Sequence, residues 1–223
     1  MTYYQFQERD TKKLPIGKIV CLGRTYQEHA AEMHAPVTQE PLLFLKPESS
    51  VIFTGDSIII PKRSRCLHHE VELGLVIGRQ ASHITKEQAF NYIYGYLVGL
   101  DITARDLQSV AKKNGWPWTI AKSFDTFAPI STVVKKEKIS NVYHLDLELK
   151  VNGVVKQKAM IQDMIYSLEY IVAFVSEIMT LKPGDLILTG TPCGVGEIQT
   201  GDILEARLGT YCTLVVDVRQ KKN

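Results

Sequence analysis

Two stretches of this chain constrain its fold more than anything else. Leu73-Gly74-Leu75-Val76-Ile77 and Gly95-Tyr96-Leu97-Val98-Gly99-Leu100 carry no charge at any position. Successive residues of a strand face opposite sides, so both stretches are apolar on both faces. Such strands belong in the interior of a covered sheet, not on a half-solvated one. We therefore read Glu70 to Gly78 and Tyr92 to Thr103 as interior strands. Gly95 and Gly99 inside the second mark a bend or a close backbone approach.

The rest of the pattern is strand-rich with few helices. Leu42 to Leu45 and Ser57 to Ile60 are short strands, the latter closed by Pro61. Leu145, Leu147 and Leu149 alternate with Asp146, Glu148 and Lys150, which predicts a half-buried strand with the acids on its solvent face. Asn152-Gly153 then predicts a tight hairpin. Residues 203–208 and 212–218 read as the last strands, and Leu186 to Thr189 as a buried one. Helices are predicted at Thr25 to Met33, stopped by Pro36, from Thr85 (capping-box spacing to Gln88), and over Ser167 to Thr180, whose apolar stripe packs on a core. Lys112 to Trp118 reads as structureless and is too short to separate domains. With 223 residues, 45% of them hydrophobic, the expectation is one domain over residues 1–223, α+β and β-rich, without a regular βαβ alternation.

Charge and cysteines narrow the setting. Lys and Arg number 26 against 24 Asp and Glu, a net of +2, which predicts neither nucleic acid nor an anionic membrane as partner. Lys112-Lys113 and Lys135-Lys136-Glu137-Lys138 read as solvated turns. Met1 to Lys13 lacks the apolar core of a secretory signal, and no apolar run reaches the ~18 residues of a membrane span. Cys21, Cys66, Cys193 and Cys212 are dispersed, with no C-x-x-C pair. Reduced thiols and a cytoplasmic location are expected, with Cys193 in a Gly-rich turn as the one candidate for reactivity.

Chemistry enters at the ends of the apolar strands. Glu70 and Glu72 share one face of a strand, about 6–7 Å apart at Cα. Parallel carboxylates repel unless solvated, protonated or bridged by a cation. Asp146 and Glu148 have the same spacing, but there alternating leucines point to solvent. Asp101 closes the second apolar strand. Three acids without nearby cysteines favour Mg²⁺ or Mn²⁺ over zinc; surface or helix-capping acids are the alternative. His29 and Glu32 share a helix face, as a general base oriented by a carboxylate requires, or as an exposed amphipathic helix produces. Glu28 and His34 lie near enough to compete for these roles, while His68 and His69, just before Glu70, either support the acids from behind or are simply exposed. Lys122, among aromatic residues, is a candidate oxyanion stabiliser or a snorkelling lysine. Arg105, with Gln108 beside it, is placed to clamp a carboxylate. Gly190-Thr191-Pro192 offers backbone amides and a hydroxyl to one. No P-loop is present, and Gly194-x-Gly196 is too weak a signal for a dinucleotide.

Taken in order, six segments resemble the fumarylacetoacetate hydrolase family, in particular its short acylpyruvase and oxaloacetate decarboxylase-like members. They are Gly23-Arg24-Thr25-Tyr26 with His29 and Glu32; Pro41-Leu42-Leu43-Phe44-Leu45-Lys46-Pro47; His68-His69-Glu70-Val71-Glu72-Leu73; Asp101-Ile102-Thr103-Ala104-Arg105-Asp106; Pro117-Trp118 with Lys122-Ser123-Phe124-Asp125; and Leu188-Thr189-Gly190-Thr191-Pro192 with Gly194-Val195-Gly196. The resemblance implies a mixed β-roll or sandwich of the type of that family's C-terminal domain, as a homodimer. Residues 1–17 would be an N-terminal extension and 18–36 a lid-like helical segment. It implies Mg²⁺ or Mn²⁺ on Glu70, Glu72 and Asp101, and His29, Glu32 and Lys122 as catalytic residues. Arg24, Tyr26, Arg105, Gln108 and Thr191 would bind an oxo-acid substrate. The implied reaction is C–C hydrolysis of acylpyruvates or related 2,4-dioxo acids, releasing pyruvate as a metal-stabilised enolate. Oxaloacetate decarboxylation or keto–enol tautomerisation would use the same site, and a catalytically silent dicarboxylate or metal binder is the reading from another class.

Overall fold

A computed structural model describes residues 2–7, 13–32 and 38–221. In chain order its elements are β1 (Ile19–Gly23), α1 (Gln27–Glu32), β2 (Leu42–Lys46), β3 (Val51–Ile52), β4 (Ser57–Ile60), β5 (Leu67–His69), β6 (Val71–Ile77), β7 (Ile93–Leu100), β8 (Thr103–Ala104), α2 (Arg105–Asn114), α3 (Thr119–Lys122), β9 (Ala128–Pro129), β10 (Val134–Lys135), β11 (Asp146–Val151), β12 (Val154–Met160), α4 (Leu168–Ile178), β13 (Leu186–Leu188), β14 (Gly196–Ile198), β15 (Ile203–Leu208) and β16 (Cys212–Gln220).

The first sheet has the order β10-β7-β6-β13-β1-β2 and the second β12-β11-β15-β16-β4. Both are mixed, because β1 runs parallel to β13 and β16 parallel to β4 while their other pairings are antiparallel. The uninterrupted apolar runs are explained by two cores, one on each face of the first sheet. Val71, Leu73, Leu75 and Ile77 of β6, with Val98 and Leu100 of β7, enter the larger core, which reaches Leu147, Leu149, Leu204 and Leu214 of the second sheet. Val76, Leu97, Ile19 and Cys21 enter a smaller core on the opposite face. That face is covered by Tyr4, Leu14 and Ile16. The Tyr4 hydroxyl also donates to Gly184 O at 3.0 Å. The first residues of the chain are thus a lid on one face of the main sheet, a role their sequence did not reveal.

Most predicted elements are present with small shifts. Asn152 and Gly153 both take positive φ, 52° and 77°, the pattern of a type I′ turn between β11 and β12. Ser167 caps α4, accepting from Tyr170 N. Four expectations need correction. Thr85 does form a capping box with Gln88, but the element it opens is a 3₁₀ helix, Lys86–Asn91. Lys112 to Asn114 is not structureless; it is the last turn of α2, which Gly115 terminates in the left-handed region at φ 67°. This helix lacks a long apolar stripe, with only Gln108 and Ala111 buried, so periodicity could not find it. Its end signals could: Asp106 in the first turn, Lys112 and Lys113 in the last, glycine just beyond. Third, Glu148 is not on a solvent face. It is 3% exposed, roofed by Arg207 and Lys158 at 3.0 and 3.2 Å. Fourth, the segment 18–36 is not one helical lid. Ile19–Gly23 is a strand between β13 and β2, and only Gln27–Glu32 is helical; Met33, His34 and Pro36 lie outside the described residues.

Candidate active site

The two interior strands deliver the acids. Across the β6–β7 pairing Glu72 lies opposite Gly99 and Val71 opposite Leu100. Asp101 N–H donates to Glu70 O at 2.8 Å, which fixes the residue after β7 beside the residue before β6. Glu70, Glu72 and Asp101 are all buried, with one oxygen from each within 4.8 Å of the others.

Such a cluster of carboxylates in a low-dielectric interior demands compensating charge. Lys122 Nζ donates to Glu70 Oε2 at 2.9 Å, Asp101 Oδ2 at 2.5 Å and Thr103 Oγ1 at 2.6 Å. Arg105 Nη2 donates to Glu70 Oε1 and Arg105 Nη1 to Gln108 Oε1. Burial alone would raise the Glu70 carboxyl, but Lys122 and Arg105 outweigh it and hold Glu70 far below the usual carboxylate range. For Lys122 burial works against the charge, and Asp101 and Glu70 reverse it, raising the ammonium pKa.

Glu72 is different. It is 1% exposed and its Oε2 accepts only Gly190 N–H at 2.8 Å. The ion pairs of the site run to Glu70 and Asp101, and none among the described residues reaches Glu72. Burial, then the charges of Asp101 and Glu70, push its carboxyl well above the ordinary value. Among the described residues Asp101 Oδ1 is also buried without an aligned hydrogen-bond donor, although Lys46 Nζ is 2.7 Å away. An uncompensated carboxylate, an orphaned acceptor and an all-oxygen donor set fit a hard divalent cation such as Mg²⁺ or Mn²⁺.

The dyad faces the same space. His29 Nδ1 lies 3.1 Å from Glu32 Oε2, and Glu32 in turn accepts from Gly194 N–H at 3.1 Å. With Nδ1–H given to the carboxylate, Nε2 keeps its lone pair. Gly190 and Gly194 have φ of 94° and 90°. A Cβ on Gly190 would overlap Thr25 Oγ1 and one on Gly194 the Lys156 carbonyl, so only glycine lets this loop approach both β1 and β12. Arg24 adopts a left-handed φ of 63°, a costly conformation of the kind that collects at functional clefts.

Arg24, His29, Glu70, Glu72, Arg105, Gln108, Lys122 and Thr191 line one cleft, with Phe44, Lys112 and Trp118 at its sides. Two expectations change. Tyr26 does not line this cleft. Its hydroxyl is buried without a hydrogen-bond partner among the described residues, and burial followed by the Glu72 charge raises its pKa; the ring borders a neighbouring hollow with Glu28, Lys158 and Cys193. Lys122 has all three N–H bonds engaged, so it serves the acids and offers no free donor to an oxyanion. His68 is held neutral, its pKa lowered to about 4 by burial and then by Arg105. The Cys193 thiol donates to Glu28 at 3.2 Å, and burial with that carboxylate raises its pKa, the opposite of an activated thiol.

Two residues escaped the sequence reading. Lys46, 1% exposed, donates to the carbonyls of Ile102, Lys122 and Phe127 at 3.0, 2.5 and 2.9 Å. Gln157, also 1% exposed, spans from β12 to the strand of Glu70 and to Thr191. Its position between Lys156 and Lys158 was the available signal, since alternation turns it inward as they turn out.

Known proteins resemble this chain over most of its length. The Fumarylacetoacetate (FAA) hydrolase C-terminal family matches residues 18–219. The mitochondrial oxaloacetate tautomerase FAHD1 of Rattus norvegicus is 46% identical over 92% of this chain and 92% of its own. An uncharacterised protein of Pyrococcus horikoshii is 49% identical over 85% of this chain and 82% of its own. Among solved structures, fumarylpyruvate hydrolase from Pseudomonas aeruginosa in complex with Mn²⁺ and pyruvate superposes with a TM-score of 0.94 at 33% identity, covering 99% of this chain and 96% of that one. The protein is therefore a member of the fumarylacetoacetate hydrolase family.

Proposed function

We propose that this protein is an Mg²⁺- or Mn²⁺-dependent hydrolase that cleaves a C–C bond in acylpyruvates or related 2,4-dioxo acids. One observation carries the reading: three buried carboxylates and a histidine–carboxylate dyad converge on one cleft. The Mn²⁺ and pyruvate in the Pseudomonas relative support it, because pyruvate is the fragment acylpyruvate cleavage leaves.

Glu70, Glu72 and Asp101 would hold the cation, which when bound polarises the substrate's oxygens as a Lewis acid. His29 Nε2, its ring oriented by Glu32, takes a proton from water. The hydroxide adds to the distal carbonyl carbon. The bond from that carbon to the methylene breaks, leaving a carboxylic acid and the enolate of pyruvate, which His29 reprotonates. Arg24 and Arg105 make the cleft cationic for the substrate's carboxylate, and Thr191 supplies a hydroxyl. Lys122 acts here through its charge, holding Glu70 ionised and pairing with Asp101.

A second reading is favoured by the name of the rat relative, an oxaloacetate tautomerase: keto–enol tautomerisation of oxaloacetate through its own enolate, or its decarboxylation, which leaves the enolate of pyruvate. Steady-state kinetics on acetylpyruvate, fumarylpyruvate and oxaloacetate, with and without metal, separates the two. Metal-dependent acylpyruvate cleavage is expected. Turnover of oxaloacetate alone selects the second reading, and no turnover with ligand-induced stabilisation selects a binder. The reading includes residues 1–223 acting as one catalytic unit, a homodimer, and a cytoplasmic setting supported by four free cysteines. No described helix is long and apolar enough to cross a membrane.

A further inference from the structure

Gln157 uses its whole side-chain amide. Its Oε1 accepts from Val71 N–H at 3.1 Å and lies 2.9 Å from His69 Nδ1. Its Nε2 donates to Pro192 O at 2.9 Å and to Thr191 Oγ1 at 2.8 Å. A backbone N–H can only donate and a carbonyl can only accept. Val71 and Pro192 therefore fix which end of the amide is oxygen, independently of the two ambiguous partners. Two consequences follow. His69 must carry hydrogen on Nδ1, in either charge state. Thr191 Oγ1 must receive a hydrogen from Gln157, so its own hydroxyl hydrogen has to go elsewhere. No acceptor for that hydrogen is present among the described residues, and Thr191 lines the cleft.

We propose that Gln157 is a positioning residue that fixes the Thr191 hydroxyl as a hydrogen-bond donor toward the substrate's anionic oxygens. The inference rests on the reading of Thr191 as a substrate-binding residue. Because Gln157 also bonds Val71, between Glu70 and Glu72, it ties the hydroxyl loop to the metal-binding strand in one register. The developing enolate carries more charge on its oxygen than the ground-state ketone does. A donor already aimed there stabilises it without reorganising.

Gln157→Glu is the informative change. It keeps the acceptor for Val71 and His69 but replaces the donor by a carboxylate oxygen. The Thr191 hydroxyl then turns to donate to residue 157. The probe is oxalate, an enolate mimic, titrated calorimetrically into Mn²⁺-loaded protein, with Mn²⁺ affinity measured separately. T191V and Q157E should each weaken oxalate by about 10–100-fold, the scale of one hydrogen bond to a charged group. The double variant should be no weaker than either single one, and Mn²⁺ affinity should stay within about threefold in all three, since neither residue ligates the cation. If T191V binds oxalate like wild type, the reading of Thr191 fails and takes the inference with it. If T191V is weakened but Q157E is not, or if the two losses multiply, the inference alone fails. A parallel fall of Mn²⁺ and oxalate affinity in Q157E also overturns it. Should Q157E not fold, ¹⁵N NMR of the wild-type His69 ring tests the same amide orientation. A protonated Nδ1 is expected, and an unprotonated Nδ1 overturns it.

Discussion

Lys46→Met removes a fully buried charge. The side chain is 0% exposed and its Nζ meets three carbonyls and Asp101 Oδ1 at 2.7 Å. At that distance, with an effective dielectric of about 20, the gross attraction is about 6 kcal/mol. Part of it only offsets the desolvation of the ammonium itself. Methionine, of similar length, leaves Asp101 buried with Lys122 as its remaining cation and takes a donor from the carbonyls of Ile102, Lys122 and Phe127, of which Phe127 O keeps the Ile102 N–H at 3.1 Å. Deleting one member of a buried ion pair costs about 3–5 kcal/mol. Against a domain stability of about 5–15 kcal/mol, that is a large fraction of the whole. Urea unfolding of the metal-free protein, followed by fluorescence, measures it. The midpoint should fall with little change in slope. The companion K46M/D101N should recover part of the loss, because the stranded charge has gone. A K46M protein within about 1 kcal/mol of wild type would refute the reasoning, as would a double variant destabilised by the full sum of the singles.

Other expectations are briefer. Mn²⁺ at a hundred times its Kd should stabilise wild type by about 2.7 kcal/mol, raising Tm by about 5–10 °C for a chain of this size; E72A should abolish the shift, read by scanning calorimetry. His29→Ala should lower turnover by about 10²–10⁴-fold while leaving the Mn²⁺ shift intact, which separates the base from the metal site. Burial tends to raise the Glu148 carboxyl, but hydrogen bonds from Arg207 and Lys158 prevail and hold it low. Its contribution is therefore full above the unfolded value of about 4.3 and is lost as pH falls through the folded value, so E148Q should destabilise at pH 7 and progressively less as pH falls below about 4.3, read from urea midpoints. Asn152→Ala places a Cβ residue without local hydrogen bonds at φ 52° and should cost about 1–2 kcal/mol. N152G should cost less, since glycine tolerates the angle, and hairpin-resolved hydrogen exchange would show both.

The interior strands and their terminal acids were legible because charge stands out against an apolar run. The dyad was legible because i, i+3 spacing puts His29 and Glu32 on one face. What could not be read lay where one element's role depends on a distant one. Lys46 merely followed the predicted strand Leu42 to Leu45; its partners are Asp101 and carbonyls some 56 to 81 positions away. Glu148 had every sign of a solvent-facing acid, and only the return of β15 with Arg207 buries it. Tyr26 sat inside a matching segment, yet the turn into α1 directs its ring away from the cleft. Residues 1–17 matched nothing; Tyr4, Leu14 and Ile16, which cover a sheet face, need only be a few apolar side chains at the right places.

The insertion of β13 between β1 and β6 has a consequence for synthesis on the ribosome. β13 spans Leu186–Leu188, yet it fills the middle of the main sheet. Until those residues leave the exit tunnel, the nascent chain holds β1 with β2 and β6 with β7 as two separate ribbons. Each presents one bare backbone edge and strongly apolar side chains. Unpaired edges of this kind recruit other strands, and partly made sheets are prone to aggregate. From Lys46 and from Leu100 to Leu186 the exposure lasts for 140 and 86 residues of elongation, about 4–28 s at about 5–20 residues per second. Chaperone demand should therefore peak late in translation and collapse once the Thr189–Gly196 loop has emerged.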